Sequence, residues 1–147
     1  MEQVIRKLTA EDYAQWKSLW LGYLDFYVSE VTEEVTNTTF QRLVAEGEPM
    51  HCLVAEEQGK LTGLVHFICH RSTWTLGDYC YLQDLFVSPD GRKQGTGRAL
   101  IAAVNAAAEA LNCSKVYWMT RENNYRARAL YDQVATKTDF VQYRVAP

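Results

Sequence analysis

Apolar and polar residues first alternate in "EQVIRKLT", Glu2 to Thr9, which is the period of a half-buried strand. The period then lengthens. In "AEDYAQWKSLWLGYLDFYVS" the residues Tyr13, Trp16, Leu19, Trp20, Tyr23, Leu24 and Tyr27 recur at helical spacing, with Thr9 as a cap ahead of Glu11 and Asp12. "EEVTNTTFQRLVAEG" predicts a second helix ending near Gly47. From Met50 to Trp74, "MHCLVAEEQGKLTGLVHFICHRSTW" predicts two strands around an "EEQGK" turn, and "DYCYLQDLFVS" predicts a third. The helix predicted over "GTGRALIAAVNAAAEALN" carries Leu100, Ile101, Val104, Ala108 and Leu111 on one face. "KVYWMTR" reads as a strand, "NYRARALYDQVA" as a helix and "DFVQYRV" as a closing strand.

The predicted order is β-α-α-β-β-β-α-β-α-β. That is a mixed α/β (α+β) arrangement, a central sheet flanked by helices, in one domain over residues 1–147 with no repeat or linker. In its second half, strand, glycine-rich turn, helix and strand form a parallel crossover whose turn opens at the carboxyl edge of the strands.

Composition narrows the function. A formal charge of −3, from 15 basic and 18 acidic side chains, removes any global electrostatic case for nucleic-acid binding. Cys52, Cys69, Cys80 and Cys113 form no CxxC pair and have no histidine cluster at zinc spacing, so no metal is expected. Free thiols in apolar contexts suit a reducing cytoplasm. The N-terminal "MEQVIRKLTAEDY" lacks the apolar core of a signal peptide, and no run reaches membrane-spanning length.

The stretch "SPDGRKQGTGRALIAA" concentrates candidate chemistry. A helix N-terminus offers unpaired backbone N–H groups and the positive end of the helix dipole. Gly95 and Gly97 remove the Cβ atoms that would keep an anion from those donors, while Arg92, Lys93 and Arg98 add charge. The Walker pattern GxxxxGK[ST] is absent. A dinucleotide fingerprint fails because Leu100 stands where a third glycine is needed.

"RKQGTG", Arg92 to Gly97, has the R-x-x-G-x-G pattern and resembles the pyrophosphate turn of the GNAT superfamily, the acyl-CoA-dependent N-acyltransferases. "NYRARALY", Asn124 to Tyr131, resembles that family's N-x-x-A-x-x-L-Y helix. "YLQDLFV", Tyr81 to Val87, resembles the strand before the turn.

The resemblance implies acetyl-CoA as cosubstrate. The backbone amides of Gln94, Gly95, Thr96, Gly97 and Arg98 would hold its pyrophosphate, with Arg92 and Lys93 beside them. The pantetheine arm would lie like an extra strand against Leu85, Phe86 and Val87, and a backbone N–H near Leu85 would polarise the thioester oxygen. Asn124 matches the residue that contacts the pantetheine region, although a helix N-cap has the same spacing. Tyr131 matches the tyrosine that protonates the departing thiolate; a core tyrosine on an amphipathic helix is the other reading.

"YLQDLFV" and the upstream "HRSTW" are most similar to the spermidine/spermine, small-amine branch. The implied activity is acetyl transfer from acetyl-CoA to a primary amine of a small molecule, a polyamine or amino acid, by direct attack. Protein or peptide acetylation and a non-catalytic acyl-CoA sensor are the alternatives. The branch often carries a glutamate base where this chain has Gln83. The neighbouring Asp84 falls on the opposite strand face, so either a bulge re-aims it or water and another carboxylate do the work. Tyr27, Glu30 and Glu33, with Glu34 and Asp25 nearby, would suit a cationic acceptor, and Trp74 matches a tryptophan of the branch. The same branch, with the tail "RVAP" and the aromatic first helix, implies a homodimer. No nucleic-acid or membrane partner is expected.

Overall fold

The computed structural model describes residues 2–92 and 94–146; Lys93 lies outside the described residues. The elements run β1 (Gln3–Lys7), α1 (Tyr13–Phe26), α2 (Glu33–Val44), β2 (Met50–Glu57), β3 (Lys60–His70), β4 (Tyr79–Val87), α3 (Thr96–Ala110), β5 (Lys115–Tyr117) and α4 (Tyr125–Val134). The expected order therefore holds through α4. The segment 139–145 corrects the expected closing strand. Its pattern permits a strand, yet among the described residues it pairs with no neighbour, and Phe140, Val141, Tyr143 and Val145 stand exposed.

The five strands form one sheet in sequence order. β1 to β4 pair antiparallel, and β4 pairs with β5 in parallel through the predicted crossover, α3. Two cores cover the two faces. On one, Trp16, Leu19, Trp20 and Leu24 of α1 join Phe40 and Leu43 of α2 against Val54 and Leu64. On the other, Leu100, Ile101, Val104 and Ala108 of α3 pack on Ala55, Val65, Phe67, Cys80 and Leu82. Four of the five apolar positions predicted for the face of α3 are buried; Leu111, just past the helix end, is half exposed.

Two irregularities shape the functional region. The β3–β4 register pairs His66 with Asp84 and then Phe67 with Leu82, so Gln83 has no partner and the strand bulges. A bulge shifts the alternation by one residue. Cys80 and Leu82 before it, and Leu85 and Val87 after it, all join the α3-side core, while Asp84 turns toward His66 and Phe86 toward α1. The second irregularity is that β5 pairs with β4 only from Tyr79 to Tyr81. Beyond that point the two strands diverge, and Leu82–Val87 is paired on its β3 side alone.

Candidate active site

The divergence opens a cleft of about 340 Å³. Leu85, Phe86 and Val87 form one wall; Ala127, Leu130 and Tyr131 of α4, with Asn124 just before it, form the other. Its far end is the turn into α3, where Gly91, Arg92, Gly95, Thr96, Gly97 and Arg98 also line it.

That turn is held firmly. Thr96 is buried, with Oγ1 2.6 Å from Gln3 Oε1 and 3.1 Å from the Gly91 carbonyl oxygen. Its side chain is thus spent on anchoring the turn, and only its backbone faces a ligand. Gly95 takes φ +75°, a conformation L side chains resist, and stands directly before α3. The first hydrogen bond at this end of the helix runs from the Ala99 N–H to the Gly95 carbonyl. The amides of Thr96, Gly97 and Arg98 therefore have no acceptor within the helix. Arg92 donates from Nε to the Val87 carbonyl at 3.1 Å and lies over the Phe86 ring, bracing the end of β4. Arg98 reaches Gln133 of α4. Arg126, which the sequence reading passed over, also lines the cleft; its place in "NYRARALY", two residues after Asn124, was the available signal. An amide cradle, three guanidinium groups and a strand-lined channel fit the pyrophosphate and amide-rich arm of acetyl-CoA.

Asn124 occupies the N-cap position of α4, but its side chain does not cap; Nδ2 donates to Thr120 Oγ1 at 3.1 Å. Tyr131 faces the cleft and meets Trp118 edge-on at 5.5 Å. Burial, with a smaller contribution from Tyr27, pushes its phenol up to about 12, so it keeps its proton across the neutral range.

At the bulge a buried polar chain crosses from α1 to β4. The Trp16 indole N–H donates to His66 Nε2 at 3.0 Å, and His66 Nδ1 lies 2.9 Å from Asp84 Oδ2. Indole is only a donor, so the imidazole proton sits on Nδ1 and points at the carboxylate. The sequence reading gave His66 no role; no local pattern marks a histidine whose partners lie 50 and 18 residues away. Tyr23 stands beside Asp84, and burial together with that negative charge raises its phenol far above the usual range. Tyr27 feels burial, the Arg121 cation and the Asp84 anion at once, with a net upward shift.

The remaining candidates lie apart. Gln83 points to solvent. Glu30 is exposed, and Glu33 is exposed and paired with Lys17 at 2.6 Å; neither lines the cleft. Trp74, at 87% exposure in the β3–β4 connection, is also outside it. Of the expected acceptor residues, the structure gathers only Tyr27 and Asp84 near the cleft, joined by Phe26, the aromatic that precedes Tyr27 in the chain.

The acetyltransferase (GNAT) family model matches residues 11–135, and the chain belongs to that family. It is an acetyl-CoA-dependent N-acetyltransferase. It is 34% identical over 143 residues to the D-amino-acid N-acetyltransferase HPA3 of Saccharomyces cerevisiae, covering 96% of this chain and 89% of that one. A thialysine N-epsilon-acetyltransferase of Mus musculus is 40% identical over 91 residues, 55% of this chain and 52% of that one. Among solved structures, AAC(6')-Iy in complex with the bisubstrate analog CoA-S-monomethyl-acetylneamine superposes with TM-score 0.86 at 15% identity, covering 100% of this chain and 99% of that one. At that identity the likeness concerns the fold.

Proposed function

We propose that the chain acetylates the primary amine of a small molecule by direct attack in a ternary complex, with Tyr131 as acid and Asp84 as the carboxylate that handles the acceptor's charge. The observation that carries this reading is the bulge at Gln83. It turns Asp84 toward His66 and the α1 side, within electrostatic reach of Tyr27, which lines the same cleft as Tyr131. The names of the yeast and mouse relatives, which act on amino-acid-type amines, support the acceptor class.

Acetyl-CoA supplies the acetyl group as a thioester. The amides of Gln94 to Arg98, with Arg92, Lys93, Arg98 and Arg126, hold its phosphates, and the free edge of Leu85–Val87 aligns its arm. A backbone N–H near Leu85 polarises the thioester oxygen, and Asn124 borders the arm. An alkyl amine with a pKa of ~10.4 needs roughly 4 kcal/mol to lose its proton at pH 7.4. Asp84 draws that ammonium into the site, the amine loses its first proton to solvent water, and as the neutral amine forms the N–C bond Asp84 takes the second proton from the now acidic nitrogen. Complete transfer from a phenol near 12 to a thiolate with an ordinary pKa of ~8.5 is uphill by roughly 5 kcal/mol. Tyr131 therefore acts as a hydrogen-bond donor that stabilises the charge on the departing sulfur, and it passes its proton on only as a proton released by the amine replaces it.

The exposed apolar side chains at 140–145 support a homodimer that covers them, which sedimentation reads directly. Four free cysteines support a cytoplasmic location.

Steady-state thiol release with a panel of amines tests the chemistry. Tyr131→Phe keeps the ring, so CoA affinity holds while kcat falls by roughly 10²–10⁴-fold. Asp84→Asn lowers kcat and raises the amine's KM. A loss in Tyr131→Phe below about threefold, short of the general-acid range, reduces Tyr131 to packing. CoA binding without turnover of any amine returns the sensor reading.

A further inference from the structure

A second recess of about 230 Å³ adjoins the cleft, lined by Phe26, Tyr27, Arg121, Asn123 and Asn124. Phe26, Tyr27 and Asn124 belong to both, so the recess opens beside the reaction end of the cleft, away from the phosphate cradle. Its chemistry is not that of a site for cations alone. One guanidinium and two carboxamides face it, and no carboxylate is among its lining residues.

Arg121 is available for a ligand. Its guanidinium lies 5.5 Å from the centre of the Tyr27 ring, and among the described residues no carboxylate comes within ion-pair distance of it. The Tyr27 phenol feels both this cation and the Asp84 anion. The site therefore presents a positive pole in the recess, with the Asp84 anion within electrostatic reach of the same aromatic ring. A zwitterion matches that arrangement. A diamine would place its second ammonium toward Arg121.

Resting on the acetylation reading above, we infer that the acceptor is an amino acid whose carboxylate is read by Arg121, with its amine directed toward Asp84. Guanidinium is the group best shaped for this, because its N–H fork meets both oxygens of a carboxylate. Asn123 and Asn124 add carboxamide donors at the same rim. Glu30, Glu33 and Glu34 then have no part in choosing the acceptor.

The test uses matched pairs that share an amine and differ only in the carboxylate: lysine with 1,5-diaminopentane, phenylalanine with phenethylamine, and alanine with alaninamide. Chiral members are run as both enantiomers, and the better one is scored. The parent enzyme is expected to prefer the acid of each pair at least tenfold in kcat/KM. Arg121→Ala should collapse that ratio toward one, chiefly by raising the acid's KM, and Arg121→Lys should restore part of it. Calorimetric CoA binding checks that each variant is folded. Equal turnover of both members by the parent, or equal loss of both in Arg121→Ala, overturns the inference and leaves amine acetylation standing. No turnover of any member while CoA binds overturns both.

Discussion

Gly97 and Gly95, two residues apart in the same turn, should respond to alanine with opposite changes in stability. Gly97 is the second residue of α3, and a Cβ built there meets only Leu130 Cδ2, at an ordinary 3.5 Å. The fold accommodates the methyl, and alanine in place of a helical glycine contributes up to about 1 kcal/mol. For a chain of this size that raises Tm by roughly 2–4 °C. Gly95 also has room, with nothing within 4 Å of its Cβ, but its φ of +75° penalises any L side chain. That penalty is about 1–2 kcal/mol, so Gly95→Ala should lower Tm by several degrees. Both methyls enter the face where phosphate oxygens must come within about 2.9 Å of backbone nitrogen. CoA affinity should therefore drop at least tenfold in each, about 1.4 kcal/mol. Thermal melts and calorimetric CoA titrations of the same preparations read the two effects separately. If Gly97→Ala melts higher yet binds CoA within twofold of the parent, the anion is not held at these amides and the cradle is misassigned.

The acid limb of the stability curve offers a second check. Arg6 binds Asp12 through both terminal guanidinium nitrogens at 2.8 and 2.9 Å, and this holds the Asp12 carboxyl down at about 2. Because the folded value is depressed, the stabilisation of about 2 kcal/mol is complete above the ordinary value near 3.8 and is lost as pH falls toward 2. Asp12→Asn should lose that amount at neutral pH and flatten denaturant midpoints between those two values; an unchanged acid limb refutes the pairing. Neutralising Glu30, Glu33 and Glu34 together should change the acceptor's KM by less than twofold, since Glu33 spends its charge on Lys17 and neither Glu30 nor Glu33 lines the cleft. A tenfold rise, about 1.4 kcal/mol, would return these carboxylates to the acceptor site.

Local order determined much of this protein. The shift from a period of two to a period near 3.6 marks each regular element through α4, because which side chains share a face depends only on residues within a few positions of one another. The glycine turn was legible for the same reason: positive φ at Gly95 and free amides at the start of α3 follow from the chain just before the helix. The sequence "NYRARALY" likewise set Asn124, Ala127 and Tyr131 at helical spacing, whatever they pack against. Tertiary structure decided the rest, where two distant segments had to agree. Strict alternation placed Asp84 opposite its observed side, since a bulge is a register choice made jointly by β3 and β4. The pairing of His66 with Trp16, the placing of Arg121 over Tyr27, and the parting of β4 from β5 after Tyr81 all join residues far apart in the chain. The segment 139–145 shows the same limit from the other side. Its alternation is strand-like, but a strand exists only where a neighbour completes its backbone hydrogen bonds, and no local pattern supplies the neighbour.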